Sequence, residues 1–403
     1  MNPKLRPLDF HWVKERGQNF LLLRDPLALT DNNVLVPSPL VPLLVLCDGT
    51  RDLPALRSAL ALRGLDLPLA QVQQTIESLD AALALESPRF QQAYDQALKA
   101  YREAAFRAPA LAGKAYPASA QELATLMAGW CKGDPQGASA DSIAGIISPH
   151  IDYERGAPVY AKVWQAASRA VKAADLAIVF GTDHAGGPGK ITLTRQDYAT
   201  PFGVIPTDRD IVDSLASALG KEAVFEEEVH HRHEHSVELA SVWLHYVREG
   251  KPLELIPILC GSFHHFVTGE QSPEGDQAIA SLMDTLSKAT EGRRVIVIAA
   301  ADLAHVGPAF GDEHPFDQAG KQSIKAADKV SLEAICQGDY ATFFDLIKRE
   351  SDSRKVCGIS PIYLTLRLLG QSKGKVVSYD QCPADGDGGS IVSIAGVLLR
   401  KSS

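Results

Sequence analysis

The 403-residue sequence lacks the long apolar runs and the basic charge that mark several large protein classes. No apolar run approaches the roughly 18 residues of a membrane-spanning helix, so we expect no membrane span and no membrane partner. The first residues, MNPKLRPLDFHWVKERGQNF, lack the apolar segment of a secretory signal peptide, which favours a cytoplasmic protein. The formal net charge of −9 argues against a nucleic-acid partner, because nucleic-acid-binding surfaces are basic.

Cysteine and the common nucleotide-binding and hydrolase motifs are also scarce or missing. The six cysteines are irregularly spaced, with no CxxC pair, which predicts reduced thiols rather than a disulfide framework. No GxGxxG or GxxxxGK[ST] motif follows a predicted strand, so NAD and ATP are not favoured. A GxSxG nucleophile elbow is missing, which leaves Ser–His–Asp hydrolysis a weak alternative. The 45% of hydrophobic and 22% of charged residues are typical of a globular protein.

The first hundred residues differ in pattern from the rest of the chain. The segment VLVPSPLVPLLVLCDGTRDLPALRSALALRG combines an apolar stretch, a turn at Asp48–Gly49 and a short helix. Helical spacing predicts a second helix over about 71–83 and an Ala/Gln/Lys-rich helix over about 87–107. Residues 1–104 are therefore predicted to form a small, mainly helical or winged-helix-like module with a connector.

Strands and helices alternate in the second part of the chain, residues 105–403. It opens with Ser119 and Glu122 in capping-box order. Apolar runs typical of buried strands lie at about 142–148, 175–181, 253–260, 294–300 and 391–399, the last after the turn-like PADGDGGS. Helical patterns lie at about 158–173, 207–219, 235–249, 275–290, 316–336 and 360–370. The alternation predicts an α/β fold in which a central mixed sheet is flanked by helices.

Histidine is concentrated in this second part, where eleven of the twelve histidines lie between His150 and His314. His150 and His184 each follow a predicted strand, and Asp302 and His305 follow another. Sites in α/β sheets form beyond the carboxyl ends of the strands, so these side chains are expected to lie together at one rim of the sheet. The alternative is that each one only bonds or caps its own loop, and their spacing is no local metal motif.

Cys357 adds a thiol to this set of candidate residues. It lies just before Ser360 and Pro361, which we predict to be the N-cap and the first residue of a helix. The positive end of that helix favours the thiolate, and a thiolate with neutral imidazoles suits iron, copper or zinc. An inert, buried cysteine is the alternative interpretation.

The densest histidine cluster is HHRHEHSVELASVWLHYV, which begins at His230. His230, His231 and His233 are expected to be solvated loop residues. Glu234 and His235 open a predicted amphipathic helix, and we assign them to the site. The sequence leaves the roles of His264 and His265 open.

Six ordered motifs resemble the Memo-like proteins, which are called AmmeMemoRadiSam system protein B in bacteria and archaea. They are SPHIDYERGAPVYAKVW, FGTDHAG, EHSVELASVWLHY, IPILCGSF, AADLAHVG and CGISPIY, and the likeness runs from about residue 105 to the C-terminus. The family fold resembles the class III extradiol dioxygenases, which hold non-haem iron(II) with two His and one Glu. One departure is that a family histidine near the domain start is replaced around Leu111–Ala112.

The resemblance implies roles for specific residues. His150, His184 and Cys357 would be the metal ligands, with Cys where the dioxygenases have Glu. His305 would take the place of the acid/base histidine, Asp302 would approach the metal, and Glu234 and His235 would line the same cleft. Iron(II) is the expected metal, with copper and zinc as alternatives.

Two functions follow from the resemblance as hypotheses. The first is a metal-dependent oxidoreductase with a dioxygenase-like site acting on an unknown small molecule. The second is a non-catalytic metal- or peptide-binding partner that acts with a radical-SAM protein, with an AMMECR-like protein as a further expected partner. The N-terminal module is weakly similar to PqqD-like winged-helix modules, which bind peptides.

Overall fold

The computed structural model describes residues 2–30, 33–131 and 143–401. Within these residues, no helix is both long and apolar enough to cross a membrane. The chain divides into two compact units, Met1–Glu103 and Ala104–Ser403. Ser142, the first residue of one expected strand, lies outside the described residues.

The first unit combines a small sheet with helices. Its strands are β1 (Asp9–Glu15), β2 (Gln18–Arg24) and β3 (Val34–Pro37), and its helices are α1 (Val41–Leu46), α2 (Leu53–Ala61), α3 (Leu69–Ala81) and α4 (Pro88–Glu103). The strands pair antiparallel in the order β1-β2-β3. This sheet was not predicted, because β1 is exposed along most of its length and has no alternating apolar face. Arg16 and Gly17, both with positive φ, form the tight turn between β1 and β2.

The second unit contains the predicted alternation of strands and helices. Its strands are β4 (Ile143–Ser148), β5 (Leu176–Thr182), β6 (Ile191–Leu193), β7 (Tyr198–Thr200), β8 (Gly203–Ile205), β9 (Glu254–Cys260), β10 (Val295–Ala300), β11 (His305–Val306), β12 (Ser372–Pro383) and β13 (Ile391–Lys401). Its helices are α5 (Ala120–Trp130), α6 (Tyr153–Ala173), α7 (Arg209–Leu219), α8 (Lys221–Phe225), α9 (Ser236–Val247), α10 (His264–Thr268), α11 (Gln277–Ala289), α12 (Gln318–Cys336), α13 (Tyr340–Arg349) and α14 (Ile359–Leu369).

The predicted mixed sheet with flanking helices is confirmed. The strand order is β11-β13-β4-β10-β5-β9-β6, and β12 pairs with β13. β4, β10, β5 and β9 are parallel to one another, whereas β13 and β6 run antiparallel to their neighbours. One face packs against α5, α6 and α9 and the other against α7, α11 and α14, so the parallel strands are buried on both faces.

Several elements escaped the sequence prediction. β6, β7, β8 and β11 have only two or three residues each, which is too short for a periodic signal. β12 is longer, but its half-buried sequence SKGKVVSYDQCP mixes Lys and Gly with Val, so no clear alternation marks it. β12 and β13 form an antiparallel hairpin, and the predicted turn PADGDGGS lies where they connect.

Candidate metal centre

The candidate site lies beyond the carboxyl ends of the parallel strands. His150 follows β4, His184 follows β5 and Asp302 follows β10. Because β10 lies between β4 and β5 in the sheet, the three loops meet at one rim. Cys357 reaches the same rim from the loop before α14. Residues far apart in the sequence are thus brought into one cluster.

His150, His184 and Cys357 can direct their ligand atoms at a common point. One ligand atom from each of the three lies within 4.8 Å of the others. The Cys357 Sγ atom is 3.3 Å from His150 Nε2, and the centroids of the two imidazole rings are 5.1 Å apart. Two imidazole nitrogens and a thiolate form a donor set suited to iron, copper or zinc.

Hydrogen bonds orient the His150 ring. Its Nδ1 lies 2.9 Å from the Ala300 carbonyl oxygen, which can only accept, so Nδ1 carries the proton and donates it. The Nε2 atom is then left facing Cys357. The His150 main-chain N–H donates to Asp302 Oδ1 at 2.8 Å, and Asp302 Oδ2 lies 3.7 Å from His150 Nε2. Asp302 therefore fixes this loop and also reaches the edge of the ligand cluster.

Glu234 orients His184 in the same way. Its carboxylate lies 3.0 Å from His184 Nδ1, which leaves His184 Nε2 for the cluster. The other Glu234 oxygen is 3.1 Å from His235 Nδ1. The His235 ring stacks on His184 with a centroid distance of 4.8 Å and lies 5.3 Å from the His150 ring. Glu234, His184 and His235 therefore form a second group of close ligand atoms that shares His184 with the first.

Two glycines allow the close packing that builds this rim. A Cβ at Gly181 in β5 would lie 2.5 Å from Ser236 Oγ, so only glycine lets α9 begin so near the strand. A Cβ at Gly358 would lie 2.4 Å from the Asp302 carbonyl oxygen. The Gly358 N–H donates to that same oxygen at 3.1 Å, which ties the Cys357 loop to the end of β10.

A cavity of about 450 Å³ opens beside the cluster. His150, His184, His235, Asp302 and His305 contribute to its wall, so the structure brings these predicted site residues together. The rest of the lining is Leu111, Ala115, Ile151, Asp152, Arg155, Leu239, Ala309, Phe310, Ala384 and Val392. The Phe310 ring packs edge-on against the His305 imidazole at 5.1 Å, and His305 Nδ1 lies 3.1 Å from the Leu303 carbonyl oxygen.

Burial and neighbouring charges shift the pKa values of the cluster in opposite directions. Burial raises the pKa of the Cys357 thiol, but the charges of His150 and His305 outweigh it and hold that pKa well below its usual value. Burial lowers the pKa of His150, whereas the Cys357 thiolate and Asp302 raise it to about 9. Burial also raises the pKa of Glu234, but His184 and His235 bring it well below the usual range. The thiol is thus held as the thiolate, the form that binds metal.

The expected N-cap of the helix after Cys357 was wrong. α14 begins at Ile359 with Gly358 as its N-cap, so Ser360 and Pro361 lie within the first turn. The Ser360 hydroxyl is buried and donates to the Cys260 carbonyl oxygen at 3.4 Å instead of capping the helix. Cys357 is still adjacent to the N-terminal end of this helix, as the thiolate argument requires.

The expectation of solvated loop histidines was wrong for two of three. His230 is buried and its Nδ1 is 3.0 Å from Asp183 Oδ2. His231 is fully buried, with Nε2 3.0 Å from the Thr192 carbonyl oxygen, and burial lowers its pKa to about 3. Only His233 is exposed. This burial is possible because other segments of the chain provide polar partners, and the spacing of residues in the sequence does not reveal those partners.

His264 and His265, whose roles the sequence left open, do not belong to the ligand cluster. Both lie in the short helix α10, which follows β9. Among the described residues, the groups of close ligand atoms do not include them.

Sequence reasoning missed a buried ion pair next to the site. The Arg107 guanidinium contacts the Glu238 carboxylate and also donates to the carbonyl oxygens of His231 and Glu234, at 2.8 and 2.9 Å. Glu238 further accepts from the Tyr116 hydroxyl at 2.5 Å. Both charged side chains are at most 1% exposed. Glu238 thus serves the ion pair, and nothing in the sequence pointed to Arg107.

Comparison with known proteins confirms the resemblance noted in the sequence. The family described as Memo-like protein matches residues 107–398. The chain is 25% identical over 413 residues to a MEMO1 family protein of Aquifex aeolicus, covering 99% of this chain and 100% of that protein. It is 26% identical to MEMO1 family proteins of Methanopyrus kandleri and Methanosarcina acetivorans, each covering 73% of this chain and 99% of the relative. The chain belongs to the Memo-like protein family.

Proposed function

We propose that the protein binds one metal ion through His150, His184 and Cys357 and acts as a metal-dependent oxidoreductase with a dioxygenase-like site. The observation that carries the proposal is the convergence of these three ligand atoms within 4.8 Å, each from a different loop. The hydrogen bonds at the Nδ1 atoms of both histidines support it, because they leave the Nε2 atoms available. Iron(II) is the metal we propose first, with copper and zinc as alternatives.

The donor set fits such an ion. When bound, a metal with open positions would supply Lewis-acid or redox chemistry. The protein's own residues would hold and protonate the substrate. His305 lines the cavity and would exchange a proton with the substrate as the general acid/base. Asp302 would keep the His150 loop in place, and His235 would border the substrate. Glu234 would hold the rings of His184 and His235.

The test is metal analysis of protein purified without air and without an affinity tag of histidines. Wild-type protein is expected to carry about one metal ion per chain, and the double variant His150→Ala, His184→Ala is expected to lose it. A His233→Ala variant is the control, because His233 is exposed and belongs to none of the groups of close ligand atoms among the described residues. Equal metal content in wild type and double variant would contradict the proposal.

A second candidate function is a non-catalytic metal- or peptide-binding partner. The thiolate ligand favours this function, because a soft sulfur ligand suits copper(I) or zinc, which the protein would bind and pass to a partner. We propose a radical-SAM protein, and an AMMECR-like protein, as the partners in that case. O₂ consumption by metal-loaded protein in the presence of a catechol or a small phenol distinguishes the two functions. No turnover together with saturable partner binding would favour the second function.

We also propose that the protein works in the cytoplasm. All six cysteines are free, as expected where thiols are kept reduced. Growth of the source cells followed by fractionation and immunoblotting tests this, and recovery in a secreted or membrane fraction would contradict it.

A further inference from the structure

The loops that carry His305 and Cys357 are joined to each other by three contacts. The His305 N–H donates to the Arg354 carbonyl oxygen at 2.8 Å, and the Gly358 N–H donates to the Asp302 carbonyl oxygen at 3.1 Å. The Lys355 ammonium lies 2.5 Å from Asp312 Oδ1, which adds an ion pair between the loops. The positions of the thiol and of the cavity histidine are therefore coupled.

Arg354 anchors this pair of loops to α12. Its guanidinium contacts the Asp328 carboxylate and donates to Ser331 Oγ at 3.0 Å, and both partners belong to α12. Its Nε also donates to Glu350 Oε1 at 2.7 Å. The Arg354 side chain is 5% exposed and that of Asp328 is fully buried. Asp328 is held in turn by the Tyr379 hydroxyl at 2.8 Å.

The backbone around Arg354 is strained. Ser351, Asp352 and Lys355 have φ values of 53°, 50° and 51°, in the left-handed region that favours glycine. Such residues persist only where the surrounding contacts hold them, and they cluster near functional sites. The three lie within the seven residues that lead to Cys357, so a relaxed loop would place the thiol elsewhere. The buried contacts of Arg354 lie in the middle of this strained segment.

We propose that Arg354 is a positioning residue of the metal centre. It does not touch the ligand cluster. It fixes the strained segment 351–356 on Asp328 and Ser331, and its carbonyl oxygen fixes His305, so that the Cys357 thiolate and the His305 imidazole stay beside the same cavity. The inference rests on the proposed function for the presence of a metal ion, but the loop geometry that it explains is a property of the metal-free protein.

The test compares variants of the full chain by anaerobic cobalt(II) titration. Arg354→Lys keeps the positive charge but offers one ammonium in place of a fork that reaches three partners. Asp328→Asn loosens the same anchor without altering the loop. Arg6→Lys is the matched control, because Arg6 is an equally buried arginine paired with Asp25 at 2.8 Å in the other unit.

We expect both anchor variants to bind cobalt(II) roughly 10- to 100-fold more weakly. We also expect a smaller thiolate-to-cobalt charge-transfer absorbance per bound ion, and the Arg6→Lys variant to match wild type. In the metal-free protein, hydrogen exchange should become faster in segments 301–307 and 351–358 alone. An unchanged absorbance per bound ion would indicate a loss of stability without displacement of the thiolate, and it would contradict the positioning role.

Wild-type affinity, absorbance and local exchange in Arg354→Lys would overturn the positioning role. If Arg354→Lys does not fold, Asp328→Asn decides by the same readouts. If wild-type protein binds no cobalt(II), the proposed function fails, and the exchange of the two segments decides the positioning role alone.

Discussion

Glu234 holds His184 twice through one carboxylate oxygen. Glu234 Oε2 lies 3.0 Å from His184 Nδ1 and accepts the His184 main-chain N–H at 3.1 Å. The other oxygen accepts the Ser236 N–H at 2.9 Å, at the start of α9. One buried carboxylate therefore joins the loop after β5 to the helix on the sheet face, and fixes both the position and the tautomer of an expected ligand.

Glu234→Gln is expected to weaken metal binding without unfolding the protein. The amide keeps the shape of the side chain but removes the negative charge that makes His184 a stronger donor. We expect a loss of metal affinity of about 10- to 100-fold, measured by competition with a chelator. The matched control is Glu228→Gln, a buried glutamate of the same segment whose side chain binds Thr194. Equal affinities for the two variants would contradict this role of Glu234.

Cys357→Glu is expected to change which metal the site prefers. A thiolate is a soft ligand that favours copper(I) and zinc, whereas a carboxylate is a hard ligand that favours iron(II) over copper(I). The variant should lose copper(I) affinity by a much larger factor than iron(II) affinity, as measured by anaerobic competition titrations. Cys357→Ser is the control, since it removes the thiolate without adding a carboxylate. A parallel loss for both metals in Cys357→Glu would argue against Cys357 as a ligand.

Gly358→Ala is expected to disturb the metal centre by a steric clash alone. The backbone φ of Gly358 is −80°, so alanine is not strained there, but its Cβ would lie 2.4 Å from the Asp302 carbonyl oxygen. The loop must move, and Cys357 with it, so metal affinity and thermal stability should both fall. Gly129→Ala is the control in α5, where a Cβ meets nothing within 4 Å. It should be neutral or stabilise by about 0.5–1 kcal/mol.

Glu238→Gln is expected to destabilise the second unit strongly. It leaves the buried Arg107 guanidinium without a counter-charge, and breaking one partner of such a pair lowers the free energy of unfolding by about 3–5 kcal/mol. Denaturant unfolding followed by tryptophan fluorescence measures the change. The control is Glu249→Gln, which breaks an exposed pair with Lys172 and should have little effect. A similarly small change in both variants would contradict the prediction.

His231 is expected to make stability depend on pH below 6.5. Its folded-state pKa of about 3 is lower than the unfolded value, so its contribution is complete above pH 6.5 and is lost as the pH falls towards 3. Wild type should lose about 1.4 kcal/mol per pH unit in this range relative to His231→Gln. Denaturant unfolding at several pH values gives the difference. The exposed His233→Gln variant should follow wild type, and a constant difference between wild type and His231→Gln would refute the prediction.

The ordered motifs and apolar runs made the α/β unit predictable. β5, β9 and β10 are buried parallel strands, so their apolar runs stood out and the predicted bounds differ by at most one residue at each end. The exposed strand β1 has no such pattern, because its side chains are exposed along most of its length. The site residues were predictable as candidates for the same reason, since His150 and His184 each follow a buried strand.

The sequence by itself determined the residue types available for a site and the family to which the chain belongs. Only the tertiary structure decided which of the eleven clustered histidines share a cavity. His150 and His184 are 34 positions apart, and parallel pairing of β4, β10 and β5 brings them together. Cys357 reaches them from the loop before α14. His230 and His231 are instead buried by polar partners elsewhere, Asp183 in the loop after β5 and Thr192 in β6. These contacts depend on packing between distant segments of the chain, and the local hydrophobic periodicity of the sequence does not indicate them.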